Sequence, residues 1–480
     1  MNEVRTRIAP SPTGYVHIGT LHTALFNYFF ARQNKGKFII RIEDTDRERF
    51  VEGATENLLG VFNALKIEHD EGPFLEDGKM IQRGDVGPYI QSERLGTYKK
   101  YVDQLLAQGD AYHCFCSKER LEEMRSAQQA TKQTPKYDRR CASLTPDEVQ
   151  QKISAGEPFV IRMKVPEGET IIEDEIRGTI KFNNADIDDQ VILKSDGFPT
   201  YHMAVVVDDS LMNITHIIRG EEWLPSAPKH VMLYKMLGLA VPVFAHLPLL
   251  LNPDRSKLSK RQGDVSVEDY LKKGYLRDAL LNFVGTLGFN PSGEKEIFTL
   301  QELIDAFDLK RVNKSSAILN KEKLDWMNNQ YLQKMTFDEF KAAAKDFVTG
   351  DETMWKAAFI ERGRVNRLDE LQAKLSAYET NSDYDASLLV WKKSDAADAK
   401  LQLENIKAQL DSVSFDDLAG IEDSIRSYMT AGGLQAGNVL WPLRVALSGQ
   451  EKSASPFELL WVLGKDESLN RIEVALQKLV

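Results

Sequence analysis

Two short segments of this chain carry residue types suited to a phosphate-bearing ligand. The first is Pro10-Ser11-Pro12-Thr13-Gly14-Tyr15-Val16-His17-Ile18-Gly19-Thr20. It follows a short strand pattern and opens a helical one, where the N–H groups of a helix start favour an anion. Gly14 and Gly19 let the backbone approach a nucleotide closely, and His17 can donate hydrogen bonds to a developing phosphate charge. The second segment is Asn252-Pro253-Asp254-Arg255-Ser256-Lys257-Leu258-Ser259-Lys260-Arg261-Gln262-Gly263-Asp264, directly after a hydrophobic strand pattern. Lys257, Lys260 and Arg261 put clustered cations on a glycine-bounded loop, which could close on a triphosphate and neutralise charge in a transition state. Either segment alone has an ordinary meaning: a turn with a solvated histidine, or a solvated basic loop.

The elements around the first segment form one unit. Val4 to Ala9 reads as a strand. Leu21, Ala24, Leu25, Tyr28 and Phe29 then recur at helical spacing within about Leu21 to Arg32. Gly36 follows as a helix stop, and Lys37 to Ile42 is an apolar run typical of a buried parallel strand. Strand, loop, helix and strand make a βαβ unit and predict a Rossmann-like, doubly wound α/β sheet. A second strand-rich region contains Val191-Ile192-Leu193, Met203 to Val207, Ile214 to Ile218 and His246 to Leu251. The section between, with a helix near Ser92 to Gln108, reads as an α+β insertion. Beyond about residue 300 the pattern is helical: Leu300 to Phe307, Phe337 to Phe347, Leu401 to Leu410 and Ile421 to Tyr428. The expected division is 1–86 with 190–252 for the sheet domain, 87–189 for the insertion, 253–325 for a connecting piece, and 326–480 for an all-α region, itself divisible into about 326–385 and 386–480. The stretch Asn381 to Ala399 is the candidate joint, with Leu388 to Trp391 packed.

The bulk numbers narrow the class. The chain has 480 residues, 61 Lys and Arg against 72 Asp and Glu, a net charge of −11, and 42% hydrophobic residues. That composition is globular, and its acidity requires any phosphate contact to come from local basic patches. Three cysteines make no disulfide framework and suit a reducing cytosol. The first five residues carry no apolar leader. The longest uncharged stretch, Met236 to Pro253, is interrupted by Pro242, His246 and Pro248, so no membrane helix is expected there.

The two segments taken together resemble the paired signatures of class I aminoacyl-tRNA synthetases. The wider spelling resembles the bacterial-type glutamyl-tRNA synthetase family: Arg7-Ile8-Ala9-Pro10-Ser11-Pro12-Thr13-Gly14, Arg41-Ile42-Glu43-Asp44-Thr45-Asp46, Gln91-Ser92-Glu93-Arg94 and Ile218-Arg219-Gly220-Glu221-Glu222-Trp223. The resemblance implies ATP-dependent activation of L-glutamate to an adenylate, then transfer to the 3′-terminal adenosine of tRNA(Glu). ATP with Mg²⁺, glutamate and tRNA(Glu) are the implied companions, in a cytoplasmic monomer with no DNA or membrane partner. It implies catalytic roles for His17, Gly19, Lys257 and Lys260. Pro10, Ser11, Thr13, Gly14, His17, Gly19, Thr20, Trp223, Leu258, Ser259 and Lys260 would surround ATP. For glutamate, it implies Arg7 and Tyr201 on the side-chain carboxylate, Glu43 on the ammonium and Arg219 on the α-carboxylate, with Ala9 and Ser11 beside them. Some members carry Asn four positions after the tyrosine; Val205 stands there instead. A glutaminyl-tRNA synthetase or a silent tRNA-binding paralogue are the rival readings. The Arg7-Ile8-Ala9-Pro10 spelling and the helical end speak against the first, and intact His17, Glu43 and Lys260 against the second.

Cys114, Cys116 and Cys141 resemble the zinc-binding C-x-C…C-x-H pattern of some members, but Ser143 occupies the fourth position. Structural zinc wants four sulfur or nitrogen donors. His113, Tyr137 and Asp138 are the nearby alternatives, and a metal-free knuckle with reduced thiols is the other reading; no metal is assigned. The insertion is expected to hold the tRNA acceptor end and the helical region the anticodon. Lys310 and Arg311, with Lys314, Lys321 and Lys323, make a local basic patch. Arg362 and Arg364, with Arg367, align with a family arginine that senses an anticodon base.

Overall fold

The computed structural model describes residues 3–46, 48–256, 258, 266–379, 383–415 and 417–479. Lys257, Ser259, Lys260 and Arg261, all expected in the site, lie outside the described residues. The chain divides into two compact units, Met1–Asp269 with Leu280–Asn320, and Tyr270–Ala279 with Lys321–Val480.

The first unit is built on a parallel sheet. Strand β1 (Arg5–Ile8) leads through the His17 loop into helix α1 (Ile18–Gln33) and returns as β2 (Lys37–Ile40), paired in parallel from Arg5↔Lys37 to Ile8↔Ile40. Leu21, Ala24, Leu25, Phe26 and Phe29 of α1 are fully buried, as their spacing predicts. Helix α2 (Ala54–Ala64) follows. Further on come β3 (Glu169–Asp174), α3 (Tyr201–Leu211), β4 (His216–Gly220), α4 (Ala227–Met236) and β5 (Val243–Leu247). Thr215, just before β4, donates its N–H to Arg5 O at 3.0 Å, which lays β4 along β1 on the side away from β2. Strand β4 pairs in parallel with β5, and β5 pairs in parallel with β3 through Phe244↔Asp174. Strand order therefore reverses at β1, and the crevice beyond the carboxyl ends of β1 and β4 is where such sheets bind ligands.

Several expectations shift. Met203 to Val207 was expected as a strand and lies inside helix α3. Every residue of that run is buried, so it has no polar face, and periodicity alone cannot separate a buried strand from a buried helix. His246 to Leu251 is two pieces: β5 ends at Leu247, Pro248 intervenes, and Leu250–Leu251 pairs with Ala317–Ile318. The segment 87–189 does not stay outside the sheet, because β3 and its antiparallel partner Gly178–Asn183 extend it. A separate three-stranded sheet, Ala111–Cys114, Val160–Met163 and Val191–Leu193, carries the cysteine region. Nor does 253–325 stand alone. Phe289 and Phe307 pack on Phe26 of α1, whereas Leu276 and Ala279 belong to the core of the second unit.

The second unit is helical, from Lys321–Lys334 through Phe337–Ala344, Glu352–Glu361 and Ala396–Leu410 to Pro456–Lys478. Phe340, Leu371, Leu403, Ile406, Ile425, Leu443, Leu460 and Ile472 form its core. Leu389 is buried there, as expected of the packed end of the Asn381–Ala399 stretch. Among the described residues no helix is long and apolar enough to cross a membrane.

Candidate active site

The loop after β1 is fixed by backbone hydrogen bonds. Arg41 N–H donates to Ile8 O and Glu43 N–H to Pro10 O, both at 3.0 Å, while Val51 N–H donates to Pro12 O at 2.8 Å. Gly14 has φ +150°, a backbone state side chains disfavour. His17 is the N-cap of α1, its Nδ1 accepting the Thr20 N–H at 3.2 Å. A neutral His17 then carries its proton on Nε2, 3.2 Å from Thr20 Oγ1. Pro10 to His17, Thr20, Ile42 and the start of α2 line a hollow open to solvent.

The second signature leaves from a turn in which Asp254 accepts from Ser256 N–H at 2.9 Å. Its far end returns beside the first: Ser266 forms a β-bridge with His17, and Val267 N–H donates to Val16 O at 2.8 Å. Asn57 clamps this junction, accepting from Val16 N–H and donating to Glu268. The chain just beyond the second signature, at Ser266 and Val267, thus meets the first at Val16 and His17.

Behind the loop lies a buried cluster of charges. Arg7, near the end of β1, gives Nε to Asp209 at 3.0 Å. Arg41, wholly buried, donates to the same Asp209 Oδ1 at 2.6 Å and to Glu43 Oε1 at 3.0 Å. Burial would raise Asp209, but Arg7 and Arg41 outweigh it and hold that carboxyl below its usual range. Burial raises Glu43, with Arg41 pulling it back. Glu43 Oε2 and the two Nη groups of Arg7 have no hydrogen-bond partner among the described residues. Removing one partner of such a buried pair costs about 3–5 kcal/mol, so Asp209 anchors both arginines.

Arg219, at the end of β4, differs. It is buried, yet its partners are neutral: Nε donates to His246 Nε2 at 3.2 Å, and Nη1 to Tyr201 Oη and His230 Nδ1, each at 3.3 Å. Its Nη2 is buried and unpaired. Burial lowers its pKa, whereas at Arg7 and Arg41 the carboxylates outweigh burial and raise it. Among the described residues no carboxylate hydrogen-bonds this guanidinium. Tyr201 lies between Arg219 and the Arg7 group, feeling the charges of Arg219, Glu43, Arg7 and Asp209. Trp223, 38% exposed, covers Tyr201 with ring centroids 4.5 Å apart.

Residues 3–326 match the family described as class I tRNA synthetases (E and Q), catalytic domain, and residues 319–476 match an anticodon binding domain. The chain belongs to the class I tRNA synthetases. It is 44% identical to a glutamate–tRNA ligase of Alkaliphilus metalliredigens, covering 100% of both chains, and 43% identical to one of Clostridium acetobutylicum, covering 100% and 99%. It is also similar to the crystal structure of a glutamate–tRNA ligase of Elizabethkingia meningosepticum in complex with its amino acid, at TM-score 0.84, 35% identity and full coverage of both chains. The fold is accordingly a class I synthetase catalytic region followed by a helical anticodon-binding region.

Arg7, Glu43, Tyr201, Arg219 and Trp223 thus come together, as do His17, Gly19 and the first-signature residues. Asp209, His230, His246 and Asp174 escaped the sequence reading. One signal for Asp209 existed: on a helix from Tyr201, positions 205, 208 and 209 fall on the same face. His246 gave no local signal, since it lies inside an apolar strand.

The expected tRNA-facing arginines are partly engaged. Arg364 pairs with Glu361 at 3.0 Å and Glu458 at 3.5 Å, and Arg362 covers the Phe359 ring at 3.5 Å. Lys310 is exposed, and Arg311 donates to the Asn290 and Pro291 carbonyls. The cysteine sulfurs of Cys114, Cys116 and Cys141 lie within 4.8 Å of one another. Of the alternatives for a fourth donor, Tyr137 joins them, its Oη 3.4 Å from Cys114 Sγ and 3.3 Å from Cys116 Sγ. Ser143 instead bonds Arg140 O, Asp138 pairs with Arg120, and His113 stacks on Phe115. The hydrogen bond between Cys141 and Cys114 lowers the Cys114 thiol and raises that of Cys141, so one thiol of the pair favours the thiolate and the other opposes it.

Proposed function

We propose that the protein is a glutamate–tRNA ligase that activates L-glutamate with ATP and transfers it to the 3′-terminal adenosine of tRNA(Glu). The observation that carries this reading is the buried Arg219 guanidinium, which faces no carboxylate while Glu43 and Arg7 stand in the same cluster. Glutamate brings two carboxylates and one ammonium. Arg219 takes the α-carboxylate, Arg7 with Tyr201 the side-chain carboxylate, and Glu43 the ammonium. Buried guanidinium groups favour a carboxylate over the neutral amide of glutamine.

The α-carboxylate attacks the α-phosphorus of ATP in line, and pyrophosphate leaves. Mg²⁺ accompanies ATP and offsets phosphate charge. His17 supplies a hydrogen bond from Nε2, the Gly14 and Gly19 backbone allows close approach, and Lys257 and Lys260 add positive charge to the leaving phosphates. Trp223 borders the adenine. The adenosine hydroxyl of tRNA then attacks the mixed anhydride, so no protein nucleophile is required. Cys114, Cys116 and Cys141 offer three sulfur donors, and Tyr137, whose phenol burial keeps protonated, is not the fourth sulfur or nitrogen donor that a structural zinc requires, so no zinc is assigned.

Pure protein should catalyse ATP–pyrophosphate exchange that depends on both glutamate and tRNA(Glu); absence of exchange would sink the reading. Arg219→Ala should raise the KM for glutamate far more than that for ATP, and equal damage to both would remove its role. Lys260→Ala should cut aminoacylation at least a hundredfold, on the order of an oxyanion-type contact, with the circular dichroism spectrum unchanged.

A further inference from the structure

We propose that His246 and His230 are positioning residues that hold Arg219 ready for the substrate's α-carboxylate, through a relay ending in Asp174 on one side and His202 on the other. This inference rests on the reading of Arg219 given above. A guanidinium can only donate, so the contacts fix the histidine tautomers. Arg219 Nε–H points at His246 Nε2, which must therefore carry a lone pair. The His246 proton is then on Nδ1 and is donated to Asp174 Oδ2 at 2.6 Å. Likewise Arg219 Nη1–H points at His230 Nδ1, so His230 carries its proton on Nε2 and donates it to His202 Nδ1 at 3.0 Å. Asp174 itself is fixed by N–H donors from His246, Ile176 and Arg177.

The relay does two things at once. It orients the planar guanidinium at two nitrogens, and it does so with neutral acceptors. Arg7 and Arg41 share a carboxylate, Asp209, between them. Arg219 keeps its full charge, with Nη2 unpaired among the described residues. Asp174 lies one imidazole away, close enough to set the tautomer of His246 but not to pair with the arginine. Val205, one helical turn from Tyr201 on α3, is aliphatic and offers no hydrogen bond. The histidines supply here the polar support that an aliphatic side chain cannot.

The geometry predicts a graded series. The amide oxygen of glutamine can replace an Nε2 acceptor, and leucine cannot. His246→Leu should raise the KM for glutamate about tenfold or more, as loss of a hydrogen bond to a charged group does, and leave the KM for ATP within about twofold. His246→Gln should recover most of that loss. Steady-state ATP–pyrophosphate exchange with tRNA present reads both constants. Asp174→Asn supplies an isosteric third variant should the leucine protein fail to fold, and its glutamate KM should rise while its ATP KM holds. The inference is overturned if the leucine and glutamine variants match each other, if Asp174→Asn leaves the glutamate KM unchanged, or if glutamate and ATP constants move together. Arg219→Ala separates the two layers. Unchanged glutamate KM in that variant defeats the site reading itself, whereas a large rise beside inert His246 variants defeats only the relay.

Discussion

Single residues in the catalytic unit are read most securely from their partners. Arg7, Glu43, Tyr201 and Arg219 were legible because their neighbours in sequence spell a family pattern. Asp209 and His246 were not, because what they do depends on strands and helices far away in the chain. Burial of a titratable group also has a consequence for stability. His22 is wholly buried in α1 and bonds Leu287 O through Nε2 at 2.8 Å; burial lowers its pKa from 6.5 to about 4. The unfolded chain therefore takes up a proton near pH 6.5 that the folded protein refuses until about pH 4. Stability from this group is complete above pH 6.5 and is lost as the pH falls from there to about 4, a total of roughly 3 kcal/mol. His69 and His202, also lowered to about 4, act in the same direction. Urea denaturation of the parent between pH 7 and pH 4.5 should show falling stability. His22→Gln, which keeps a donor for Leu287 O, should flatten that fall by up to one proton's worth. An unaltered slope would mean that His22 does not carry the effect.

At the scale of elements, amphipathic segments were legible and wholly buried ones were not. The face of α1 could be counted from its leucines and phenylalanines, but the Met203–Val207 run lacks a polar face and was read with the wrong period. Gly36 shows a subtler difference. A glycine after a helix commonly takes the left-handed turn, yet here that conformation falls on Lys35, with φ 53°. Gly36 is needed for another reason: a Cβ there would lie 2.1 Å from Val4 O, where the chain entering β1 passes the chain entering β2. Gly53 is the reverse case, with φ +77° and open space around its Cβ position. Gly36→Ala should therefore force the backbones apart and lower stability by about 3 kcal/mol or more, in the upper range for overpacking. Gly53→Ala should cost only about 1 kcal/mol, the strain of a left-handed residue. Thermal denaturation of the two variants side by side checks the order, and a Gly53 variant less stable than the Gly36 one would reverse it.

The whole molecule carries a net charge of −11 and is nonetheless read as binding a polyanion, so its contact with tRNA must come from a few unneutralised cations. Counting arginines along the sequence overstated that number, because the chain does not reveal which are already paired. Arg364 has Glu361 and Glu458 beside it, so its field is largely cancelled before RNA arrives. Lys310 is exposed, with its backbone N–H on Asp308 and no ion pair to its ammonium among the described residues. Each lysine that meets a phosphate releases counterions and steepens the dependence of affinity on salt, by close to one unit of slope per contact. Lys310→Ala should thus weaken tRNA(Glu) and flatten the plot of log KM for tRNA against log salt by about one, with glutamate and ATP constants unchanged. Arg364→Ala should leave that slope near the parent's, since it removes a cation whose charge the two glutamates already offset. Aminoacylation measured from 50 to 200 mM salt separates the two residues. If the Arg364 variant flattens and the Lys310 variant does not, the RNA-facing charge lies on the helical region and the basic turn at Leu309–Arg311 has no part in it.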